Sequence, residues 1–413
     1  MTRRLVSRTA MRLLACVAFV AGVPAIQHVR AEPVLDRVVL VQRHGVRAPT
    51  QSPEMLAEWS ARGWPRWPVA PGQLTERGGQ VVAMIAGGIR KHYVAQGLLP
   101  AGACPSSDVV VWADSKDDRT RDSGQQLAAQ LAPGCGLPMQ SGTPGAKDSL
   151  FDSVGGSCTL DAAEGTAAMR AALGPDGDLA DAPSKAAIPA IFRILRPDAA
   201  APAQASTFRV DPDKIVISGP LAIAAPSGEI FLLEYANNMP AAEIAWGGAN
   251  TAPALAPLLA PRNRLSELTR RLPYLAVRQG AGMARAMLTV LSGEARTAAP
   301  AIAADVKLVA FAGHDDNLSN MAGVFGVDWT LPGQPDATAP ATAFALERRR
   351  DAATGNVTVA LRLFYAELEG MRQLDPASVR SLPVAFPGCG PEGCPLDTLR
   401  SRVLAALPPA CGR

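Results

Sequence analysis

The chain has 413 residues, of which 48% are hydrophobic and 19% are charged, and its formal net charge is +3. This length allows two domains or one large domain with an insertion, and the composition excludes a disordered chain. The basic excess lies in residues 1–31, and the rest of the chain holds 35 basic and 37 acidic side chains. A nucleic-acid-binding domain usually keeps a basic excess, so we predict no nucleic-acid partner.

The first 31 residues predict a signal peptide. Four arginines precede an apolar run over residues 13–26, which is the pattern of an export signal. Cleavage after Ala31 is favoured over cleavage after Ala25. The run is short for a membrane span and no second apolar segment follows, so we predict no membrane association after cleavage. The mature chain is expected to be periplasmic or secreted. The pair Arg3-Arg4 suggests a twin-arginine signal, but the residues after it fit that pattern poorly, so the export route stays open.

Three short apolar runs each lead into a polar cluster. Continuous apolar runs suit strands that are buried on both faces, as in a parallel sheet flanked by helices. In open α/β sheets the ligand lies beyond the carboxyl ends of the strands, so we expect the three clusters to face one crevice. The runs and the clusters that follow them are residues 38–41 before 42–50, residues 109–112 before 113–121, and residues 308–311 before 313–317.

Helical patterns occupy the intervals between these runs. Periodicity predicts a helix over residues 75–96, capped by Thr75, and a second over residues 119–131. The stretch from residue 158 to 260 is alanine-rich and proline-interrupted, with a strand candidate at residues 214–218. The predicted division is a signal peptide at 1–31, an α/β domain at 32–157 and 261–413, and an inserted, mainly helical domain at 158–260.

His44 is the candidate nucleophile. Beyond the leader the chain has only three histidines, and His44 and His314 both lie in the polar clusters, whereas His92 is interpreted as a structural helix residue. Arg43 and Arg47 bracket His44, and burying two guanidinium groups there is unfavourable unless an anion or a carboxylate pairs with them. A phosphate ester is such an anion. A neutral imidazole held beside it can attack phosphorus in line with the leaving alcohol.

Asp315 is the candidate acid. The departing alkoxide needs a proton, so a carboxylic acid must lie on the side of phosphorus opposite the nucleophile. Asp315 and Asp316 both follow His314, and their spacing alone does not separate them. No cluster has the spacing of metal ligands, and the arginines already supply positive charge, so we predict neither a metal nor a cofactor.

Residues 43–49, RHGVRAP, resemble the RHGxRxP signature of the histidine acid phosphatases, and His314-Asp315 is similar to that family's downstream His-Asp pair. A likeness that covers most of the chain is far more specific than an isolated RHG. The resemblance implies an acid phosphomonoesterase that acts on small phosphate monoesters through a phosphohistidine. Further segments similar to the bacterial periplasmic phytase branch are residues 64–69, 74–79, 119–121, 229–233 and 329–335.

The resemblance also implies roles for individual residues. His44 would be the nucleophile and Asp315 the proton donor, and Glu229 would lie near the substrate. Gln51 and Asp316 depart from the usual lysine and threonine at their positions, which leaves phytate, glucose 1-phosphate and a mixture of monoesters open as substrates. The residues that bind the phosphate would be Arg43, Arg47, Thr50, Arg119 and His314.

The fold implied by the resemblance is that of the phosphoglycerate mutases, a mostly parallel α/β sheet flanked by helices, with a smaller helical domain inserted. Six cysteines remain after the leader, and an even number in an exported chain predicts three disulfides. Sequence alone leaves many pairings open. The resemblance implies Cys104 with Cys135, Cys158 with Cys411, and Cys389 with Cys394.

Two rival functions use the same residues. A phosphohistidine mutase would be cytosolic, and the leader and the cysteines argue against that location. A non-catalytic phosphate-binding relative would not need both His44 and Asp315, so their joint presence favours an enzyme. The oligomeric state stays open.

Overall fold

The strands β1, β2 and β6 correspond to the three apolar runs of the sequence. The computed structural model describes residues 2, 33–60, 62–105, 108–155, 158–390 and 392–411. The predicted signal peptide therefore lies outside the described residues, apart from Thr2. The strands are β1 (Val34–Arg43), β2 (Val109–Ala113), β3 (Met139–Ser141), β4 (Thr207–Val210), β5 (Ile215–Ser218), β6 (Leu308–Gly313), β7 (Ala343–Arg350), β8 (Val357–Ala366), β9 (Val379–Val384) and β10 (Cys394–Pro395).

The helices include both that the periodicity predicts, α2 and α3. Short 3₁₀ segments lie at Ile244–Gly247, Ala256–Leu259 and Pro376–Ser378, and a π-helical turn lies at Glu267–Arg271. The α-helices are α1 (Pro53–Trp59), α2 (Glu76–Ala95), α3 (Asp118–Leu131), α4 (Ala162–Leu173), α5 (Ala182–Leu195), α6 (Pro220–Ala236), α7 (Ala252–Leu255), α8 (Ala260–Ser266), α9 (Pro273–Gln279), α10 (Ala281–Ser292), α11 (Asp315–Phe325), α12 (Leu368–Gln373) and α13 (Leu396–Ala406).

The main sheet has eight strands, in the order β10-β8-β7-β1-β6-β2-β3, with β9 paired to β8. The pairs β1–β6, β6–β2 and β2–β3 are parallel. The pairs on the other side of β1 are antiparallel, and β8 again runs in the direction of β1. The predicted α/β class with a mostly parallel sheet is confirmed, and the antiparallel portion is an addition that the sequence analysis did not predict.

Alternate residues of the central strands face two separate cores. Val38 and Leu40 of β1 pack in a cluster with Ile85 of α2. Val39 and Val41 belong to a second cluster that includes residues of α6 and α10. Helices therefore cover both faces of the sheet, which is why these strands are continuous apolar runs.

The region between β3 and β6 is mainly helical. It contains α4 to α10 and the antiparallel hairpin β4–β5, and β5 lies within the strand candidate at residues 214–218. The helix α6 packs against α5 and α8 and also reaches α12. The assignment of residues 158–260 to a separate inserted domain stays a prediction.

Three disulfides join Cys104 to Cys135, Cys158 to Cys411, and Cys389 to Cys394. These are the three pairs that the resemblance implies, so the predicted pairing is confirmed. Among the described residues, no helix is both long enough and apolar enough to cross a membrane.

Candidate active site

The three polar clusters meet at one edge of the parallel sheet, as predicted. The backbone N–H of His44, just after β1, donates to the carbonyl of Gly313 at 2.8 Å. The backbone N–H of Asp114, just after β2, donates to the carbonyl of Ala312 at 2.9 Å. Because β6 lies between β1 and β2, these bonds bring the ends of all three strands side by side.

The loop after β1 runs against the start of α2. A Cβ on Gly45 would lie 2.1 Å from the carbonyl oxygen of Gly78, and a Cβ on Gly78 would lie 2.0 Å from the carbonyl oxygen of Val46. The backbone N–H of Thr75, the N-cap of α2, donates to that same Val46 carbonyl at 3.0 Å. Only glycine fits at both positions, and this close approach fixes the backbone on either side of His44.

His44 is held with one ring nitrogen available for attack. Its Nδ1 lies 2.8 Å from the carbonyl oxygen of Gly45. A carbonyl only accepts, so Nδ1 carries the proton and Nε2 keeps its lone pair. Burial lowers the pKa of His44 well below its usual value, and the nearby charges of Arg119 and Arg43 lower it further. The imidazole therefore stays neutral in mildly acidic solution, as a nucleophile must.

Glu229, on α6, pairs with the two arginines of the motif. Its Oε1 accepts from Arg43 at 2.5 Å and its Oε2 accepts from Arg47 at 3.2 Å. A second carboxylate, Asp336, accepts from Arg43 at 3.1 Å. Burial alone would raise the pKa of Glu229, but Arg262, Arg47 and Arg43 outweigh it and lower that pKa to about 2. Glu229 is thus an ionised residue that orients Arg43 and Arg47. The sequence predicted only that it would lie near the substrate.

The three arginines predicted to bind phosphate, Arg43, Arg47 and Arg119, are called the cradle here, and each keeps a donor without a partner in the described part of the chain. Among the described residues, the buried Nε atoms of Arg43, Arg47 and Arg119 have no hydrogen-bond partner. All three guanidinium groups are close enough to His44 to lower its pKa. Buried donors without a partner are costly, and phosphate oxygens are the acceptors that best match a guanidinium group.

His314 is the N-cap of α11 and is oriented by acidic neighbours. Its Nε2 lies 2.8 Å from Oδ2 of Asp114 and 3.5 Å from Oδ2 of Asp117. Its Nδ1 faces a guanidinium nitrogen of Arg119 at 3.5 Å, and its ring centroid lies 5.5 Å from that of His44. The two predicted histidines therefore face each other across the site.

Asp114, Asp117 and His314 offer ligand atoms within 4.8 Å of one another, which is close enough to share a cation. Arg119 already donates to Asp117 at 2.9 Å, and the ring of His314 is hydrogen-bonded to Asp114. We interpret the group as an Asp-His-Arg network that orients His314, because its carboxylates already have positive or N–H partners.

Asp315 is buried at the first position of α11, surrounded by arginines. Its Oδ2 accepts from Arg262 and from Arg270, the latter at 2.7 Å, and its Oδ1 lies 3.9 Å from Nε of Arg43. Burial would raise the pKa of Asp315, but Arg270, Arg262 and Arg43 together hold it well below the ordinary value. Asp316 is about half exposed and pairs with Arg270 at 2.5 Å. Of the two carboxylates, Asp315 is the one in contact with the cradle.

A cavity of about 420 Å³ joins these groups, a size typical of small-molecule sites. Thr50, which was predicted to bind phosphate, lines the cavity beside Gln51, and the hairpin β4–β5 contributes an apolar wall through Ile215 and Ile217. The predicted residues that line it are His44, Arg47, Thr50, Arg119, His314 and Asp315, with Arg43 buried behind them.

The structure adds residues that sequence reasoning missed. Arg262 and Arg270 come from α8 and the π-helical turn, and no local motif in the sequence marks them. Asp336 follows directly after residues 329–335, a segment that the sequence analysis singled out without assigning a role. His92 lies elsewhere, with its Nε2 3.5 Å from Glu347, in agreement with its interpretation as a structural residue.

Comparisons with known proteins identify relatives of this chain. Residues 34–180 match the model of the histidine phosphatase superfamily (branch 2). The chain is 31% identical over 405 residues to a phytase of Escherichia coli (strain K12), with 91% of this chain and 93% of the relative covered. It is 24% identical over 379 residues to a glucose-1-phosphatase of Salmonella typhimurium, with 88% of each covered. The structure of Hafnia alvei phytase in complex with myo-inositol hexakis sulphate matches with a TM-score of 0.84 and 32% identity, over 92% of this chain and 98% of that one.

Proposed function

This chain belongs to branch 2 of the histidine phosphatase superfamily and is a histidine acid phosphatase, and we propose that it is a phytase that works through a phosphohistidine at His44. One observation carries this proposal. A neutral, buried imidazole with a free Nε2 lies among three arginines whose Nε donors have no partner among the described residues. That arrangement suits an incoming phosphate ester and nothing apolar.

The first step is phosphoryl transfer to the enzyme. Arg43, Arg47 and Arg119 hold the phosphate oxygens and neutralise charge as it spreads over them. Nε2 of His44 forms a bond to phosphorus while the bond from phosphorus to the leaving alcohol breaks. Asp315, when protonated, passes its proton to the departing oxygen.

The second step returns the enzyme to its starting state. Asp315 is now a carboxylate and accepts a proton from a water molecule that attacks phosphorus. The bond between Nε2 and phosphorus breaks, and inorganic phosphate leaves. His314, fixed by Asp114 and Asp117, keeps its place beside the phosphoryl group throughout both steps.

The extent of the likeness to phytases supports phytate as the substrate. The phytase relative is 31% identical over 91% of this chain, and the solved phytase is 32% identical over 92% of it. Arg262 and Arg270 also line the cavity in addition to the cradle arginines. Both arginines are paired with carboxylates that line the same cavity, so a further phosphate of the substrate would bind by taking a guanidinium group from one of these carboxylates.

We further propose that the mature protein works in the periplasm or outside the cell. Three disulfides join cysteines that are far apart in sequence or close in a loop. Disulfides of this kind form and persist in oxidising compartments.

Initial rates on purified enzyme test the proposed substrate. Phytate, glucose 1-phosphate and glycerol 2-phosphate are compared at acidic pH, with and without a chelator. We expect the highest kcat/KM with phytate, and no effect of the chelator because the arginines supply the positive charge. A higher kcat/KM with glucose 1-phosphate would contradict the phytase assignment, and a loss of activity restored by a divalent metal would contradict the metal-free mechanism.

A further inference from the structure

Arg270 bridges the candidate acid and its neighbour at the open side of the cavity. Its NH1 donates to Oδ2 of Asp315 at 2.7 Å, and its Nε lies 2.5 Å from Oδ1 of Asp316. The Arg270 side chain keeps 23% of its surface exposed, whereas that of Arg262, on the same oxygen of Asp315, keeps 4%. Arg270 is thus the accessible member of the pair.

The other cations around Asp315 are shared with further carboxylates. Arg262 also pairs with Glu229 at 3.3 Å, and Arg43 pairs with Glu229 and Asp336. Among the described residues, Arg270 has only Asp315 and Asp316 as carboxylate partners within 4 Å. Of the three cations, Arg270 is therefore the one that can leave Asp315 without abandoning a second buried carboxylate.

Building on the phosphatase function proposed above, we propose that Arg270 selects substrates with a second phosphate, because that phosphate draws Arg270 away from Asp315 and so prepares the acid. The second phosphate lies in the cavity beside the one that reacts at His44. Asp316 keeps hold of Nε of Arg270 while NH1 turns to the new anion. Guanidinium groups bind phosphate and carboxylate with the same donors, so the exchange replaces one charged hydrogen bond by another.

The release of Asp315 changes what it can do in the reaction. With Arg270 paired to Oδ2, the carboxylate is held ionised and has no proton to give. Once Arg270 has left, Oδ2 takes up a proton from water in acidic solution. That proton then passes to the leaving alkoxide as the Nε2–phosphorus bond forms and the phosphorus–oxygen bond breaks, and Asp315 ends as a carboxylate.

Every element packed against Asp315 contributes a charge to this balance. The described positive groups that face it are Arg43 of β1, Arg262 of α8 and Arg270 of the π-helical turn. The negative groups are Glu229 of α6, whose own pKa is raised by the charge of Asp315, and the neighbouring Asp316. The reacting phosphate adds negative charge at His44, so the loss of one cation tips the balance towards a protonated acid.

Two substrates that both leave through a ring oxygen of inositol test the inference, myo-inositol 1-phosphate and myo-inositol hexakisphosphate. The Arg270→Gln variant should lose about tenfold or more in kcat/KM on the hexakisphosphate, the value of one charged hydrogen bond. On the monophosphate, kcat/KM should not fall, and at pH values on the falling limb it should rise, because removing Arg270 leaves Asp315 free to take up a proton. Arg270→Lys, which keeps the charge, should recover part of the loss on the hexakisphosphate.

The matched control is Arg271→Gln. Arg271 is the next residue of the same turn, but it pairs with Asp328 at 2.7 Å and with the carbonyl of Val327, outside the catalytic cavity. This variant should behave as wild type on both substrates. Its melting temperature, beside that of Arg270→Gln, separates lost selectivity from lost folding.

The pH profile of kcat gives a second readout. An acid acts while protonated, so activity falls as pH rises through its pKa, and removing a cation raises that pKa. With the monophosphate, the falling limb of Arg270→Gln should lie about one unit above that of wild type. Equal loss on both substrates, or an unmoved limb, would overturn the inference while leaving the phosphatase function intact. Failure of wild type to hydrolyse either ester would refute the proposed function and the inference with it.

Discussion

The ends of the neighbouring strands β1 and β6 carry the proposed nucleophile, His44, and the proposed acid, Asp315, and arginines lower the pKa of both. At the end of β1 this keeps His44 neutral, which is the form that attacks phosphorus. At the end of β6 it keeps Asp315 ionised, which is the form that cannot protonate a leaving group. The same positive charges therefore favour the form of His44 that the proposed mechanism needs and disfavour the form of Asp315 that it needs, and our proposal is that the negative charge of the substrate reverses the second effect.

Removal of the proposed nucleophile should have the largest effect on activity. In His44→Ala no covalent intermediate can form, and water would have to attack the ester directly. We expect kcat to fall on the order of 10⁴-fold or more, as in other enzymes that lose a covalent nucleophile. Steady-state assays with p-nitrophenyl phosphate measure it, and near-native activity would show that another residue attacks phosphorus.

Asp315→Asn should separate the acid from the nucleophile. The proton matters most for a basic leaving group, so glycerol 2-phosphate should be slowed by about 10²-fold or more. p-Nitrophenyl phosphate should be slowed much less, because its phenolate leaves without help.

Asp316→Asn is the control for the acid assignment. It removes a carboxylate that pairs with Arg270 but does not contact Arg43 or Arg262. We expect the rate of this variant relative to wild type to be the same for glycerol 2-phosphate and for p-nitrophenyl phosphate. If Asp316→Asn rather than Asp315→Asn showed a dependence on the leaving group, the two aspartates would have to exchange roles.

Glu229→Gln tests how much the buried arginines destabilise the free enzyme when they lose a carboxylate partner. The change leaves Arg43, Arg47 and Arg262 short of a buried carboxylate, so the free energy of unfolding should fall by about 3 kcal/mol. Inorganic phosphate should restore part of that loss, because it supplies the missing negative charge. Denaturant titrations with and without phosphate measure both, and equal stabilisation of wild type and variant by phosphate would contradict the pairing.

Glu234, one helical turn beyond Glu229 on α6, shows what burial does without arginines. Burial raises its pKa to about 8, and the backbone N–H of Ala245 donates to it at 2.8 Å. Since the folded pKa lies above the unfolded one, its contribution to stability is present in full below about pH 4.5 and is lost as pH rises towards 8. In Glu234→Gln the fall in unfolding free energy between about pH 5 and 8 should be smaller by roughly 3 kcal/mol. An unchanged slope in denaturant titrations across that range would show that Glu234 is ionised throughout.

The nucleophile half of the site was predictable because its residues are contiguous. Arg43, His44 and Arg47 follow one apolar run, and a parallel sheet must bring the ends of such runs together. Gly45 belongs to the same contiguous motif, although the close approach that requires a glycine there is a tertiary contact with Gly78. The pairing of the disulfides came from family resemblance, since the cysteines are too far apart in sequence for spacing to decide.

The environment of the acid was not predictable in the same way. Arg262 and Arg270 reach Asp315 from α8 and the π-helical turn, about 50 residues earlier in the chain. Nothing in a helical segment with several arginines tells which of them faces a cavity and which, like Arg271, faces away. Tertiary packing decides that, and it also decides the charge state of Asp315.

Mass spectrometry of the trapped intermediate tests the central claim most directly. Wild-type enzyme is mixed with p-nitrophenyl phosphate and quenched in alkali, which preserves phosphohistidine, and phosphate is then located by peptide sequencing and by NMR of the labelled ring. Nδ1 of His44 donates a hydrogen bond to the carbonyl oxygen of Gly45. The account therefore predicts phosphate on Nε2 of His44 and none in His44→Ala. Phosphate on another residue, or on Nδ1 of His44, would contradict it.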